Sequence, residues 1–200
     1  VHVIPNAIRA EVLDVPASPR RGRADGITQF GWQGSSTHAA DWLEVRDSLA
    51  EVMRTDPNVR MRFLGTAHPE GLPLDRGRVD FRDWTTDLDV HYRRISRFDV
   101  ALAPLKDTVF NRSKSGLRFQ EAAALGVPVI ASDVTAYRPW IRHGVTGYLV
   151  RSPAEWRDAL VTLTDPALRA EMGEAGRAAA VAWTIEKNIW RWINAYESLL

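Results

Sequence analysis

The sequence predicts one doubly wound α/β domain, a mostly parallel sheet with helices on both faces. Short apolar runs alternate with amphipathic stretches along the chain, the pattern left by strands and their crossover helices. Its 200 residues make one ordinary domain, long enough to bury roughly 70% of the unfolded surface without a disulfide or a metal. Hydrophobic residues make up 45% and charged residues 26%, which is a globular composition.

Each element follows from period and punctuation. Val1–Ile4 reads as a short strand ended by Pro5-Asn6, and residues 10–26, with Pro, Gly and Arg in no period, as a loop or linker. Ile27–Gln33 is a strand closed by Gly34-Ser35-Ser36-Thr37. From Asp41, the positions Trp42, Val45, Leu49, Val52 and Met53 fall at helical spacing and predict a helix packed on a sheet. Val59–Leu64 is the next strand, and residues 66–78, with His68-Pro69 and Gly71-Leu72-Pro73, form a loop before the strand Val79–Phe81. A helix over Leu88–Ser96 leads to the strand Val100–Ala103, cut off by Pro104. Leu117–Leu125 is helical with Gly126 as its stop. Val127–Ile130 follows as a strand that Pro128, lacking an N–H, should begin. Gly147–Val150 is a last short strand, and 154–163, 166–181 and 185–200 are helices.

Composition excludes several function classes. Cys is absent, which removes disulfides, thiolate metal sites and cysteine nucleophiles. Lys and Arg number 26 against 25 Asp and Glu, a net charge of +1, so no nucleic-acid footprint is expected. No apolar run approaches the ~18 residues of a membrane span, and no signal peptide opens the chain. Only Lys106, Lys114 and Lys187 are lysines; the arginine excess reads as codon bias rather than function. The chain begins at Val1 without Met, so a piece of something longer is expected.

Ligands of a doubly wound sheet bind beyond the carboxyl ends of the strands. The segments to examine are therefore 34–38, 82–84, 104–117 and 131–138. Gly34, Ser35, Ser36, Thr37 and His38 make a small-residue turn between strand and helix, where backbone N–H groups and the helix dipole favour an anion. An ordinary capped turn remains the other reading. No G-x-G-x-x-G and no Walker lysine is present, which disfavours a dinucleotide dehydrogenase and a P-loop NTPase. In the segment Asn111 to Glu121, Ser115 and Gly116 open a helix with free N–H donors. Lys114 adds a full positive charge at that point, enough together to hold a pyrophosphate without a metal. Glu121, one turn further on, is placed to accept from ribose hydroxyls. The other reading is a solvated turn with an Arg118–Glu121 surface pair worth about 0.3–0.5 kcal/mol. No His-x-x-x-His or acidic cluster calls for a metal, and no cofactor is expected.

These segments carry a family resemblance. VHVIPN at Val1–Asn6, Gly34-x-x-Thr37-His38-x-x-Asp41, Phe98–Leu105, residues 111–121, Gly126–Ser132 and His143-Gly144-x-x-Gly147–Val150 follow in register. Together they resemble the second, donor-binding domain of family 4 glycosyltransferases, the "group 1" glycosyl transferases of GT-B fold. The resemblance implies a single Rossmann-like domain over 1–200, the second half of a GT-B fold. It further implies retaining, metal-independent transfer from a nucleotide-sugar to a glycan or glycoconjugate, in the cytoplasm, free or peripheral at the membrane's inner face. The acceptor domain would be missing, leaving this chain inactive alone. It places the second Glu of the family's Glu-x7-Glu motif on Glu121, at the ribose, and the first on Ser113, where the carboxylate is lost. Asn111-x-x-Lys114-Ser115 looks like a variant branch in which Lys114 takes over the phosphate charge, with Gly116 and Leu117 as backbone donors. The family's phosphate-binding Arg and Lys after the first strand are absent, and Gly34–His38 occupies that place.

By the same resemblance Arg82 and Trp84 sit where the nucleobase is cradled, although a packed surface Trp fits Trp84 equally. Asp133, Tyr137 and Arg138 form a second tier at a strand end, and His143 reads as a turn residue rather than a base. Ile185, Ile189, Trp192, Tyr196 and Leu200 make one apolar stripe with Trp190 beside it. That helix packs either on its own sheet or on the missing N-terminal domain. Two rival functions stand beside the donor half. One is a non-catalytic nucleotide-sugar-binding module. The other is a nucleotide-sugar epimerase, disfavoured because no glycine fingerprint and no Tyr-x-x-x-Lys pair is present.

Overall fold

The computed structural model describes residues 2–16, 26–65 and 76–200. Its sheet contains β1 (Thr28–Gln33), β2 (Val59–Leu64), β3 (Val79–Arg82), β4 (Val100–Ala103), β5 (Val129–Ser132) and β6 (Tyr148–Val150). Every pair is parallel and the order is β3-β2-β1-β4-β5-β6, the doubly wound arrangement. The helices are α1 (Ala39–Thr55), α2 (Leu88–Ile95), α3 (Val109–Arg112), α4 (Leu117–Ala124), α5 (Pro153–Thr162), α6 (Pro166–Ala180) and α7 (Ile185–Glu197). Both β4 and β5 are buried on both faces, as central parallel strands must be.

Two cores result. On one face Trp42, Val45 and Leu49 of α1 and Trp156 and Leu160 of α5 pack against Phe30, Trp32, Met61 and Phe63. Trp32, Trp42 and Phe63 meet edge-on or tilted, with ring centroids 4.9–5.8 Å apart. On the other face Tyr92 and Ile95 of α2 and Phe119 of α4 meet Ala101 and Ala103, joined by Ile8 and Val12 from the N-terminal segment. Gly31 lies in mid-strand because the Phe98 ring covers it: a Cβ there would stand 2.1 Å from that ring.

The strands and long helices read from the sequence are present within two residues at each end, except that α7 stops at Glu197, three residues before the expected 200. The expected first strand is not. His2–Ile4 pairs with nothing in the sheet and Val3 is 86% exposed, while Val1 lies outside the described residues. The segment runs instead past the end of α7, where the Ser198 hydroxyl bonds the His2 ring at 2.9 Å, and joins the fold at Ile8 through a bridge to Thr184. The expected loop after it contains a 3-10 turn, Ala10–Asp14, which buries Val12; residues 17–25 and the loop residues 66–75 lie outside the described residues. Pro128 precedes β5 rather than opening it, and its carbonyl accepts from Ala101 N–H at 2.9 Å. The short α3 was not expected; Thr108 caps it by accepting from Asn111 N–H.

Own-sheet packing of α7 is also corrected. Among its residues Asn188 and Ala195 are buried, whereas Ile189, Trp190 and Tyr196 are 47%, 51% and 68% exposed. The helix is held at its base, where Asn188 donates to the carbonyls of Ala182 and Thr184, both at 2.9 Å. Its apolar stripe faces outward.

Candidate donor site at the carboxyl ends of the strands

Strands β1 and β4 are neighbours whose connections leave on opposite faces of the sheet, which opens a crevice between their carboxyl ends. The turn after β1 and the loop after β4 meet there. Their meeting point is Asp41, a buried carboxylate in the first turn of α1. Its Oδ1 accepts from Lys106 N–H at 2.9 Å and from Asn111 Nδ2 at 2.7 Å. Its Oδ2 lies 2.7 Å from His38 Nδ1, a contact that assigns the ring proton to Nδ1. Burial works against the charge on Asp41. The bonds from His38, the Lys106 amide and Asn111, with the Lys114 charge nearby, outweigh burial and hold the carboxyl below its ordinary range.

The Lys114 ammonium stands 4.0 Å from Asp41 Oδ2 and 3.4 Å from His38 Nδ1, and 4.8 Å above the Phe110 ring. Burial holds it below the ordinary lysine value, the Asp41 charge opposing this and Arg118 adding to it. Asn111, itself buried, also donates from Nδ2 to the Lys106 carbonyl at 2.9 Å, which fixes the loop that carries Lys114.

Beside the lysine begins α4. No side chain caps it at Gly116, and among the described residues the amides of Gly116, Leu117 and Arg118 meet no acceptor. Gly116 is required there by close approach: a Cβ would lie 2.3 Å from Cδ1 of Trp140. The Ser115 hydroxyl accepts from Asn6 Nδ2 at 2.9 Å, so the N-terminal segment borders the crevice. Across it, Gly34 is buried, donates to the Leu64 carbonyl at 3.0 Å, and leaves no room for a Cβ beside the Trp32 ring. The hydroxyls of Ser35 and Thr37 bond at 2.7 Å, and Ser36 opens the 3-10 turn that ends at His38.

Glu121 lies one turn into α4. Its Oε2 accepts from Gln33 Nε2 at 3.0 Å, and His91 Nε2 of α2 is 3.9 Å away. This replaces the Arg118–Glu121 surface pair that sequence spacing allowed. Gln33 and His91 also line a shallow depression with Leu64, Gly65, Asp83, Trp84, Thr85 and Arg94. Trp84 is 57% exposed, so it is not a packed surface ring. Arg82 does not join it: its guanidinium turns to Asp80 at 3.3 Å, away from Trp84's depression.

The structure thus brings together Gly34, Ser35, His38, Asn111, Lys114, Ser115, Gly116 and Leu117, with Glu121 and Trp84 further along the crevice. Of the second tier, Asp133 is bound by Arg138 at 2.6 Å and by Arg151, Tyr137 is buried, and the exposed His143 ring bonds the Leu149 backbone in a turn. Sequence reasoning missed Asp41 as the hub, and the contacts of Asn6 with Ser115 and of Gln33 and His91 with Glu121. Only the His38-x-x-Asp41 spacing, three residues on one helical face, signalled any of this.

Among the described residues no helix is long and apolar enough to cross a membrane. A solved C-terminal domain of a glycosyl transferase group 1 family protein from Francisella tularensis superposes with a TM-score of 0.61 at 21% identity, covering 85% of this chain and 96% of that one. HepE from Anabaena, solved with UDP and glucose, gives a TM-score of 0.69 at 18% identity over 97% of this chain and 55% of its own. At such identities the likeness establishes the fold. A protein of Nocardia farcinica named D-inositol 3-phosphate glycosyltransferase is 30% identical over 196 residues, 88% of this chain. The chain spans 40% of that relative's length. The family model for glycosyl transferases group 1 matches residues 31–165. By that match, with a fold shared by the solved C-terminal domain, the chain belongs to the glycosyl transferases group 1 family.

Proposed function

We propose that this chain is the donor-binding half of a retaining, metal-independent glycosyltransferase that moves a hexosyl or deoxyhexosyl group from a nucleotide-sugar to a glycan or glycoconjugate. The observation that carries this reading is the convergence of Lys114, held by Asp41 and Asn111, with the open amides of α4 at the β1–β4 crevice. A departing nucleoside diphosphate develops negative charge at its phosphate, and a preorganised cation beside helix N–H donors stabilises it without reorganising. In this reading Lys114, Ser115, Gly116 and Leu117 hold the pyrophosphate with Gly34–His38 opposite. Glu121 meets the ribose, and the base lies near Trp84. The UDP present in the HepE structure supports a uridine donor. The sugar C1 bond to the phosphate oxygen breaks with its electron pair on that oxygen. The acceptor oxygen bonds C1 on the same face, and its proton passes to the departing phosphate.

The acceptor comes from a second domain. The exposed Ile189, Trp190 and Tyr196 of α7 are the surface we assign to it, because apolar side chains aligned on one helix face gain most by burial. Nucleotide sugars are made in the cytoplasm, where this reading places the protein. Sugar transfer by a longer protein carrying both halves tests the proposal. Transfer that Lys114→Ala lowers about 100-fold supports it. Nucleotide-sugar binding without transfer supports the non-catalytic module instead, and Ser113→Glu then tests whether the missing carboxylate is the cause.

A further inference from the structure

We propose that the cavity between α2 and strands β2–β3 binds a compact polyanion carrying two or more phosphoryl groups. The cavity holds about 360 Å³ and is lined by Val90 and five arginines: Arg62 of β2, Arg82 of β3, and Arg93, Arg94 and Arg97 of α2 and the turn after it. The spacing Val90, Arg93, Arg94, Arg97 is i, i+3, i+4, i+7, so these residues share one helical stripe. Tyr92 and Ile95 take the buried side of the same helix.

A parallel sheet is ordinarily covered by apolar side chains on both faces. Here β2 alternates, with Val59, Met61 and Phe63 in the core and Arg60 and Arg62 on the other face. Like charges at helical neighbour positions repel, and two more guanidiniums face them across the cavity. The negative end of the helix dipole favours Arg93 and Arg94 in the last turn but not the arginines on the strands. Countercharge is scarce. Asp80 accepts from both Arg62, at 2.7 Å, and Arg82, at 3.3 Å, while Arg94 donates to the Asp83 carbonyl at 2.6 Å. Among the described residues Arg93 and Arg97 have no ion-pair partner. In a chain whose net charge is +1, such a cluster is a local excess that codon bias does not aim at one cavity.

Guanidinium forks match phosphoryl oxygens two at a time. The concavity and a volume within the small-molecule range of about 300–1,000 Å³ favour a compact ligand over a flat membrane or a duplex. The site adjoins the depression at Trp84, which Arg94 also lines, and none of its lining residues belongs to the Lys114 end of the crevice.

Calorimetric titration with inorganic tripolyphosphate tests this, in a Lys114→Ala background so that the crevice contributes least. One-to-one binding that Arg93→Ala/Arg97→Ala weakens about tenfold or more is expected. Both side chains are exposed, and circular dichroism checks that the fold is kept. Equal affinity with and without the two arginines overturns the proposal, as does absence of binding. Flotation with phosphatidylglycerol vesicles supplies the other arm: vesicle binding that tripolyphosphate does not displace means a membrane contact and also overturns it.

Discussion

Asn111 Nδ2 donates to Asp41 Oδ1 at 2.7 Å, joining a four-residue helix after β4 to the first turn of the helix after β1, seventy residues away in sequence. That bond closes the crevice from below and leaves the amide and ammonium donors above it.

Asp41→Ala removes an acceptor shared by two buried or half-buried donors and the His38 ring. A loss of roughly 2–4 kcal/mol in unfolding free energy is expected, since each buried donor left unpaired costs about 1–3 kcal/mol. Urea denaturation measures it. Asp41→Asn, which keeps one carbonyl oxygen for Asn111 or Lys106, should lose distinctly less.

Acid should unfold the protein partly through the same carboxyl. Asp41 is held below its ordinary value in the folded state, so the unfolded chain binds more protons and stability rises with pH across the interval. The contribution is present above the unfolded value of about 3.9 and is lost as pH falls through the lower folded value. Asp133, bound by Arg138 and Arg151, acts in the same direction. Stability curves below about pH 4 should therefore be shallower in Asp41→Asn than in the parent.

Lys114 is held below the ordinary lysine value by burial, so its charge is lost before that of a free lysine as pH rises. Nucleotide diphosphate affinity should fall on the alkaline side beginning below about pH 10.4. In Lys114→Ala that step should be missing. An alkaline limb of unchanged shape in the variant would assign the titration to another group.

Gly116→Ala places a methyl group 2.3 Å from the Trp140 ring at a φ of −77°, where backbone conformation is no obstacle. The cost is therefore steric, about 1–3 kcal/mol from displacing Trp140 or the start of α4. Adding Trp140→Ala should recover nucleotide affinity if the clash is the cause. Binding measured on the single and double variants decides this.

How far the sequence could be read follows from how local each signal is. Val59–Leu64 and Val100–Ala103 were legible to the residue because apolar runs between turn residues are self-contained signals. His2–Ile4 shows the same pattern, yet a strand also needs a free sheet edge beside it, and the segment was instead taken up along α7. The strand-end segments 34–38 and 111–117, to which we assign the anion, were legible from glycine, hydroxyl and lysine spacing, and the structure brings them together at His38 and Lys114. Asp41 was not, because its partners Lys106 and Asn111 lie 65 and 70 residues away and only the fold brings them near. The arginine cavity was hidden for the same reason: Arg62, Arg82 and Arg97 belong to separate elements, and composition alone made them look like codon usage.

The most direct measurement is calorimetric titration of this chain with UDP, GDP, dTDP and ADP without divalent metal, repeated on Lys114→Ala. The account predicts one-to-one binding of one base class, weakened about tenfold or more by the substitution. Absence of binding by all four, or an affinity unchanged by loss of Lys114, would contradict it.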